Sequence, residues 1–414
     1  MKFLLLNQTF VPDAASSGQH LADLATGLAE RGHEVTVVTS RRSYTGCRTS
    51  LPARETWRGV RVFRVGSSGF GRATLWRRVL DAVSFLALAY LRTWMLPKPD
   101  VIVTLTSPPL ISVLGLFLAR LRRSRFVYWV MDLNPDEAFA AGWLGAGSPA
   151  GLMLEWLSRM SLREADRVIA LDRFMCSRIL KKGVSRSRTV VVPPWSHDVE
   201  VRFDHEGRER FRRRHALDGK FVVMYSGNHS LCHPLDTVLE AARMLAQFQK
   251  IIFCFIGGGA QFRCIESAAR GTNSRAGDGD CGGPRIVCLP YQPLRQLSAS
   301  LSAADLHLVV MGDPFVGIVH PCKIYNILRV GRPVIYVGPR PSPASEVLEQ
   351  QVDRLLSACV SHGDAAGLAW QIRRMQGVSR ELSRASSSEV GARFSREMVL
   401  PRLMMELEQC GQDW

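Results

Sequence analysis

No Cys-x-x-Cys pair occurs in this sequence, no Gly-x-Gly-x-x-Gly turn follows its first apolar strand, and no apolar run reaches the roughly 20 residues that a membrane-spanning helix needs. The missing dinucleotide fingerprint counts against a nicotinamide enzyme. The interrupted apolar runs exclude a transmembrane helix from the reading. The ten cysteines, among them Cys47, Cys176, Cys254, Cys288 and Cys322, show neither pairing nor metal-ligand spacing, and no signal peptide precedes the first strand. Reduced thiols in a cytosolic protein are the expectation, with no bound metal and no cofactor. Acidic residues are in the minority, 37 against 53 lysines and arginines, for a net charge of +16. An excess of this size calls for an anionic partner.

The arginines are clustered. Arg72, Arg77, Arg78 and Arg92 bracket the run VLDAVSFLALAYL, and Arg120, Arg122, Arg123 and Arg125 follow LISVLGLFLARL. Two apolar helices with basic flanks predict docking on an anionic membrane surface, where each cation contributes about 1 kcal/mol. A third cluster, RERFRRRH from Arg208, lacks interleaved aromatics and a recognisable module, so nucleic acid is not the expected partner.

What the chain does have is 414 residues, 46% of them hydrophobic, arranged in one repeated grammar. KFLLLN, GQHLADLATGLAERG and EVTVVTS read as strand, amphipathic helix and strand, a βαβ unit that implies a parallel sheet. The alternation runs on through DVIVTLT, RFVYWVMD, RVIAL and TVVVPP. After a polar stretch from about residue 199 to 220 it restarts with FVVMYSG, LDTVLEAARML, IIFCFIGGG, RIVCLP, LHLVVMG and PVIYVG. The predicted fold is α/β, with two Rossmann-like parallel-sheet domains, 1–200 and 201–392, facing a cleft. A C-terminal helix over 393–411 is expected to pack back on the first domain and to be kinked or divided by Pro401. The glycine-rich RGTNSRAGDGDCGGP from Arg270 reads as a loop.

Ligands of open α/β sheets sit at the carboxyl ends of strands. Gly18 opens the helix after the first strand, where a backbone N–H meets a phosphate or sugar. Asp132 and Asp136 follow RFVYWVMD. Gly227 ends FVVMYSG, ahead of Asn228, His229 and His233, two histidines in a loop and so candidates for a polar role. Gly257, Gly258 and Gly259 let backbone approach a ligand closely. Asp236, at the start of LDTVLEAA, reads as a first-turn acid.

VPDAASSGQHLADLATGLAERGHEVTVVTS, VMDLNPD, YSGNHSLCHPLDTVLEAA, FIGGG, LPYQP and HPCKIYNILRVGRPVI follow one another in an order that resembles the bacterial GT-B glycosyltransferases of family 4, the branch that builds surface polysaccharides, O-antigen or capsule units. The resemblance covers nearly the whole chain. It implies a nucleotide-sugar donor in the second half, an acceptor on the first, and retention of anomeric configuration. It also implies that Tyr291 lies beside the nucleobase and that Asp132 orients an acceptor hydroxyl. The family's Arg and Lys for the donor diphosphate fall on Asn228 and His233, and its paired glutamates on Ile318 and Asn326. The PCKIYN form resembles a variant of the motif that keeps a lysine beside the helix start. Lys323, with the N–H groups of Ile324 and Tyr325, is then the expected diphosphate site, with Asn326 alongside. The function this implies is metal-independent, retaining transfer from a UDP-sugar, of N-acetylated hexosamine type, to a lipid-linked saccharide at the inner face of the cytoplasmic membrane. The alternative is a nucleotide-sugar-binding protein of the same fold without turnover.

Overall fold

The computed structural model describes the chain apart from residues 14, 43–50, 69–74, 198–200, 274–284, 352–355, 382–388 and 413–414. Two compact units are present. The first is Met1–Pro194 with Gly317–His320 and Glu397–Trp414; the second is Trp195–Val316 with Pro321–Arg396.

In the first unit β1 (Lys2–Leu6), α1 (Ser16–Glu30) and β2 (Glu34–Ser40) are followed by β3 (Arg54–Trp57), β4 (Val60–Val65) and α2 (Leu75–Trp94). Then come β5 (Val101–Thr104), α3 (Ile111–Arg122), β6 (Arg125–Trp129), α4 (Asp136–Ala140), α5 (Pro149–Arg163), β7 (Arg167–Ala170), α6 (Arg173–Lys181) and β8 (Thr189–Val191). The eight strands lie in the order β3-β4-β2-β1-β5-β6-β7-β8, parallel except where β3 meets β4. Valine-rich strands suit this sheet because both of their faces are covered; six of the seven β2 residues are buried.

The β3–β4 hairpin turns at Arg58 and Gly59, both at positive φ (47° and 82°) as a two-residue turn of this hand demands. Neither strand was anticipated from sequence. RETW and VRVFRV break the βαβ rhythm, and the Arg-Gly pair is a weaker signal than Asn-Gly.

The second unit contains α7 (His205–Arg214), β9 (Phe221–Asn228), α8 (Asp236–Met244), β10 (Ile251–Gly258), α9 (Phe262–Asn273), β11 (Ile286–Leu289) and α10 (Leu297–Ser302). It continues with β12 (Leu306–Val310), α11 (Lys323–Arg329), β13 (Val334–Val337), α12 (Pro343–Glu349), β14 (Ser357–Val360), α13 (Ala365–Glu381) and α14 (Glu389–Arg393). Its six strands are all parallel, in the order β11-β10-β9-β12-β13-β14. The two-residue period of β9 divides its side chains between two layers. Phe221, Val223 and Tyr225 join the core under α8 and α13, while Val222 and Met224 pack with Phe211 of α7.

One buried carboxylate fastens α7 to this sheet. Asp305 accepts from Arg208 and Arg212 and from the Val222 N–H. Burial alone would raise its pKa, but the two guanidiniums outweigh it and hold the carboxyl below its usual range. Two arginines of the RERFRRRH cluster are thus internal ties of the second unit.

The last helix, α15 (Arg396–Gln412), belongs to the first unit. Val399, Leu400, Leu403, Met404, Leu407 and Cys410 recur at helical spacing and are buried. A Cβ on Gly27 would lie 2.9 Å from Met404 Sδ, so the glycine in α1 sets how closely the two helices approach. Glu408 pairs with Arg31 and His33, both at 2.8 Å.

Three expectations change. The first unit gives way to the second at Trp195 rather than at residue 201, and it regains Gly317–His320. Of the kink or division expected at Pro401, division does not occur: one helix runs through it. Arg270–Asn273 end α9 instead of opening a loop, and the rest of the glycine-rich segment, residues 274–284, lies outside the described residues.

Candidate functional site

In the second sheet the chain runs from β9 to β10 and β11 on one side and from β12 to β13 and β14 on the other, so β9 and β12 flank its topological switch point. A crevice for ligands opens at the carboxyl ends of strands at such a point. Gly227 and Gly257 stand side by side there, paired in register, at φ 141° and 139°. A Cβ on Gly257 would lie 2.0 Å from the Gly227 carbonyl oxygen, and one on Gly227 would lie 3.1 Å from Lys323 Nζ. The glycines therefore make the room into which Lys323 reaches.

Lys323 is the first residue of α11. Its Nζ lies 3.7 Å from the ring centroid of Tyr225, a cation–π arrangement, and is buried without a hydrogen-bond acceptor. Loss of hydration brings its pKa down to about 7. Tyr225 itself donates its hydroxyl to the Asn228 carbonyl.

His229 is fully buried among Tyr225, Phe255 and Phe262, with the Gly227 and Gly258 carbonyls as polar neighbours of its ring. Burial first, then the Lys323 charge, lower it to about 4, against an upward pull from the Gly227 and Gly258 carbonyls. His233 donates from Nδ1 to the Val310 carbonyl at 2.7 Å, which fixes its neutral tautomer. Burial and then Lys323 lower it to about 3. Tyr291 lies over Gly258, donates to that residue's carbonyl at 3.2 Å and remains 37% exposed. Gly227, Asn228, His229, His233, Gly257, Gly258, Tyr291 and Lys323 therefore share one end of one sheet. The group brings together one buried amine and two imidazoles held neutral by burial, and among the described residues no carboxylate pairs with the amine.

The other expected residues fare differently. The Ile324 and Tyr325 amides do not point free at the helix start: they donate to the Pro321 and Cys322 carbonyls at 3.2 and 3.3 Å, because the loop enters the helix through tight turns. The Asn326 side-chain oxygen accepts from the His197 N–H and so fixes the segment after Trp195. Gly18, in the first unit, has the backbone of Thr9 and Phe10 3.2 Å from where its Cβ would be, a packing reason for glycine. Asp132, also in the first unit, follows β6; burial and then the neighbouring Glu137 raise its carboxyl to about 8. Asp136 forms an ion pair with Lys182, which also holds Glu155, both at 2.7 Å. Asp236 is an acid of the first turn of α8. Sequence reading passed over His320, whose Nδ1 lies 2.8 Å from Asp172 Oδ2 inside the first unit. The partners are 148 positions apart, and Asp172 by itself reads only as the N-cap of α6.

A second feature of the first unit is apolar. Trp76, Val79, Leu80, Val83, Leu88, Leu91 and Trp94 recur at helical spacing along the outward side of α2; Val83 and Leu91 are 56% and 58% exposed. Tyr90 links this stripe to Phe117 on α3. The flanking cations are partly engaged. Arg120 pairs with Glu164 and Arg125 with Asp166, Arg122 donates to the Trp94 and Leu96 carbonyls, and Arg92 lies over Phe63. Arg72 lies outside the described residues. Among the described residues no helix is long and apolar enough to cross a membrane, and no three His, Cys, Asp or Glu side chains converge as a metal-binding group.

Residues 17–195 match the glycosyl transferase 4-like domain. WcaI of Escherichia coli K12, assigned to colanic acid biosynthesis as a glycosyl transferase, is 28% identical over 356 residues, 80% of this chain and 82% of its own. WbjE of Pseudomonas aeruginosa, assigned as a glycosyltransferase, is 24% identical over 61% of each chain. This chain carries a glycosyl transferase 4-like domain over residues 17–195. Its fold is that of solved GT-B structures. Sucrose-phosphate synthase of Thermosynechococcus elongatus superposes with a TM-score of 0.74 at 17% identity, over 99% of this chain and 98% of the other. HepE of Anabaena, solved with UDP and glucose, gives 0.70 at 16% identity, over 99% and 100%. In the second unit the switch-point cluster is the region whose chemistry has to be explained.

Proposed function

We propose that this chain is a glycosyltransferase that moves an N-acetylated hexosamine-type sugar from UDP to a lipid-linked oligosaccharide or polysaccharide precursor. In this reading anomeric configuration is retained, no metal takes part, and the chain sits peripherally on the anionic inner face of the cytoplasmic membrane. The observation that carries it is the buried, acceptor-less Lys323 amine between Gly227 and Tyr225. A departing nucleoside diphosphate develops negative charge, and a preoriented cation at that oxygen is what its departure requires. Tyr291, exposed beside Gly258, offers a ring to the base. The bound UDP and glucose of HepE support a uridine donor. The membrane location is supported by the exposed apolar side of α2, and the precursor class by the assignment of WcaI. Asp132, which keeps a proton near neutrality, is assigned to hold an acceptor hydroxyl rather than to remove its proton.

Calorimetric titration of UDP and GDP, with UDP-sugar turnover followed in the same samples, tests the reading. UDP binding that weakens by about 1 to 3 kcal/mol in Lys323→Ala is the expected result, the range for hydrogen bonds to charged groups. Binding of neither nucleotide would overturn it.

A further inference from the structure

Most buried lysines in folded proteins are matched with a carboxylate. Lys323 is not. Among the described residues its Nζ has no hydrogen-bond acceptor and no ion-pair partner, and one side of it is closed by the Tyr225 ring at 3.7 Å. The titratable groups around it are Tyr225 from β9, His229 and His233 from the loop that follows, and Cys322 beside it. Cys322 pulls the amine's pKa upward, against the larger effect of burial. The tyrosine is pushed well above its ordinary value by burial, and both histidines are driven neutral. His233 has its Nδ1 proton committed to the Val310 carbonyl, and His229 is enclosed by three aromatic rings.

An amine so placed is easiest to charge when an anion arrives. We propose that diphosphate binding at this site takes up a proton, and that the proton lodges on Lys323. The inference rests on the donor-site reading above and adds to it a regulation of that site by pH. Loss of hydration brings the empty-site amine down to about 7, so near neutrality a large fraction is uncharged before ligand enters. A dianionic group within contact distance favours the ammonium and raises that value in the complex. The sign follows by linkage. Below the empty-site value the amine is already protonated, and affinity is flat. Above it each binding event must import a proton, and affinity falls about tenfold per pH unit until the value in the complex is reached. Product and donor would both be held less tightly as the medium becomes alkaline.

UDP is titrated calorimetrically at pH 8 in buffers of different ionisation enthalpy, and again at pH 6. The slope of apparent enthalpy against buffer enthalpy gives the protons taken up. At pH 8 the terminal phosphate of UDP, with a pKa near 6, is already ionised and contributes little. The expected result is about one proton per UDP at pH 8 and a smaller uptake by the protein at pH 6. Lys323→Arg, charged throughout this range, should bind UDP with no uptake at pH 8. UDP binding without uptake in the wild type would overturn the linkage and leave the donor site standing. Uptake that persists in Lys323→Arg would also overturn it, by placing the proton elsewhere. Failure of UDP to bind the wild-type chain would overturn the donor-site reading and the linkage together.

Discussion

At Gly257 a hydrogen atom stands where any other residue would place a carbon 2.0 Å from a backbone oxygen. The position also has φ 139°, in the region that side chains avoid. Gly363 has a positive φ too, 83°, but nothing lies within 4 Å of its Cβ site. The two separate conformational strain from collision. Gly363→Ala is expected to destabilise by about 1 kcal/mol, the low end for an L residue forced to positive φ. Gly257→Ala should lose at least about 3 kcal/mol and, by moving the Gly227 carbonyl, weaken UDP binding as well. Urea unfolding with parallel nucleotide titration measures both, and equal losses in the two variants would remove the collision argument. At this scale the sequence is half legible. Three consecutive glycines after an apolar strand announce close approach, but nothing in IGGG says that the thing approached is the backbone of Gly227, nor that Lys323 fills the space beside it. Those facts depend on register between strands.

The elements extend the same lesson. Eleven of the fourteen strands stand where apolar β-branched runs place them, since a strand covered on both faces has few alternatives in composition. β3 and β14 escape because an edge strand is short, mixed and half exposed, so its pattern is that of a loop, whereas β4 lies inside the sheet and escapes because arginines interrupt its apolar run VRVFRV. α2 was legible as a helix with basic flanks. The structure changes the weight of its two signals: several of the flanking arginines are engaged within the unit, while the apolar stripe is broader than the flanks suggested. An exposed stripe of this kind is the face by which an interfacial helix enters a bilayer. Leu91→Glu and Trp94→Glu, both at exposed positions, should reduce co-sedimentation with vesicles containing anionic lipid severalfold while leaving UDP binding intact. Unchanged co-sedimentation would exclude this face as the contact. If the wild-type chain sediments equally with neutral vesicles, apolar insertion rather than the arginines carries the attachment.

For the whole molecule, the two-fold grammar of the sequence was enough to anticipate two parallel sheets, because βαβ units permit little else. It was not enough to place Ile318 or His320, which count with the first unit although the chain around them builds the second. Such an excursion leaves no periodic trace. The return of α15 is a stronger case, since its buried stripe could be read as amphipathic but its destination only guessed. Leu403 and Leu407 lie in the first unit's interior, so Leu403→Ala or Leu407→Ala should each cost about 2 to 5 kcal/mol there. Hydrogen exchange should localise that loss to β1 and α1, with the β9 and β10 amides unaffected; uniform acceleration throughout the chain would contradict it.

The helix that seats Met404 against Gly27 is synthesised only after the second unit. A ribosome making this chain delivers the first unit's sheet, then the second unit, and only afterwards the helix that closes the first. The first unit, begun before the second, is therefore finished after it. In the interval α1 presents to the cell the apolar side that α15 will later cover, so exposure to chaperones and proteases should be concentrated on α1 until α15 docks.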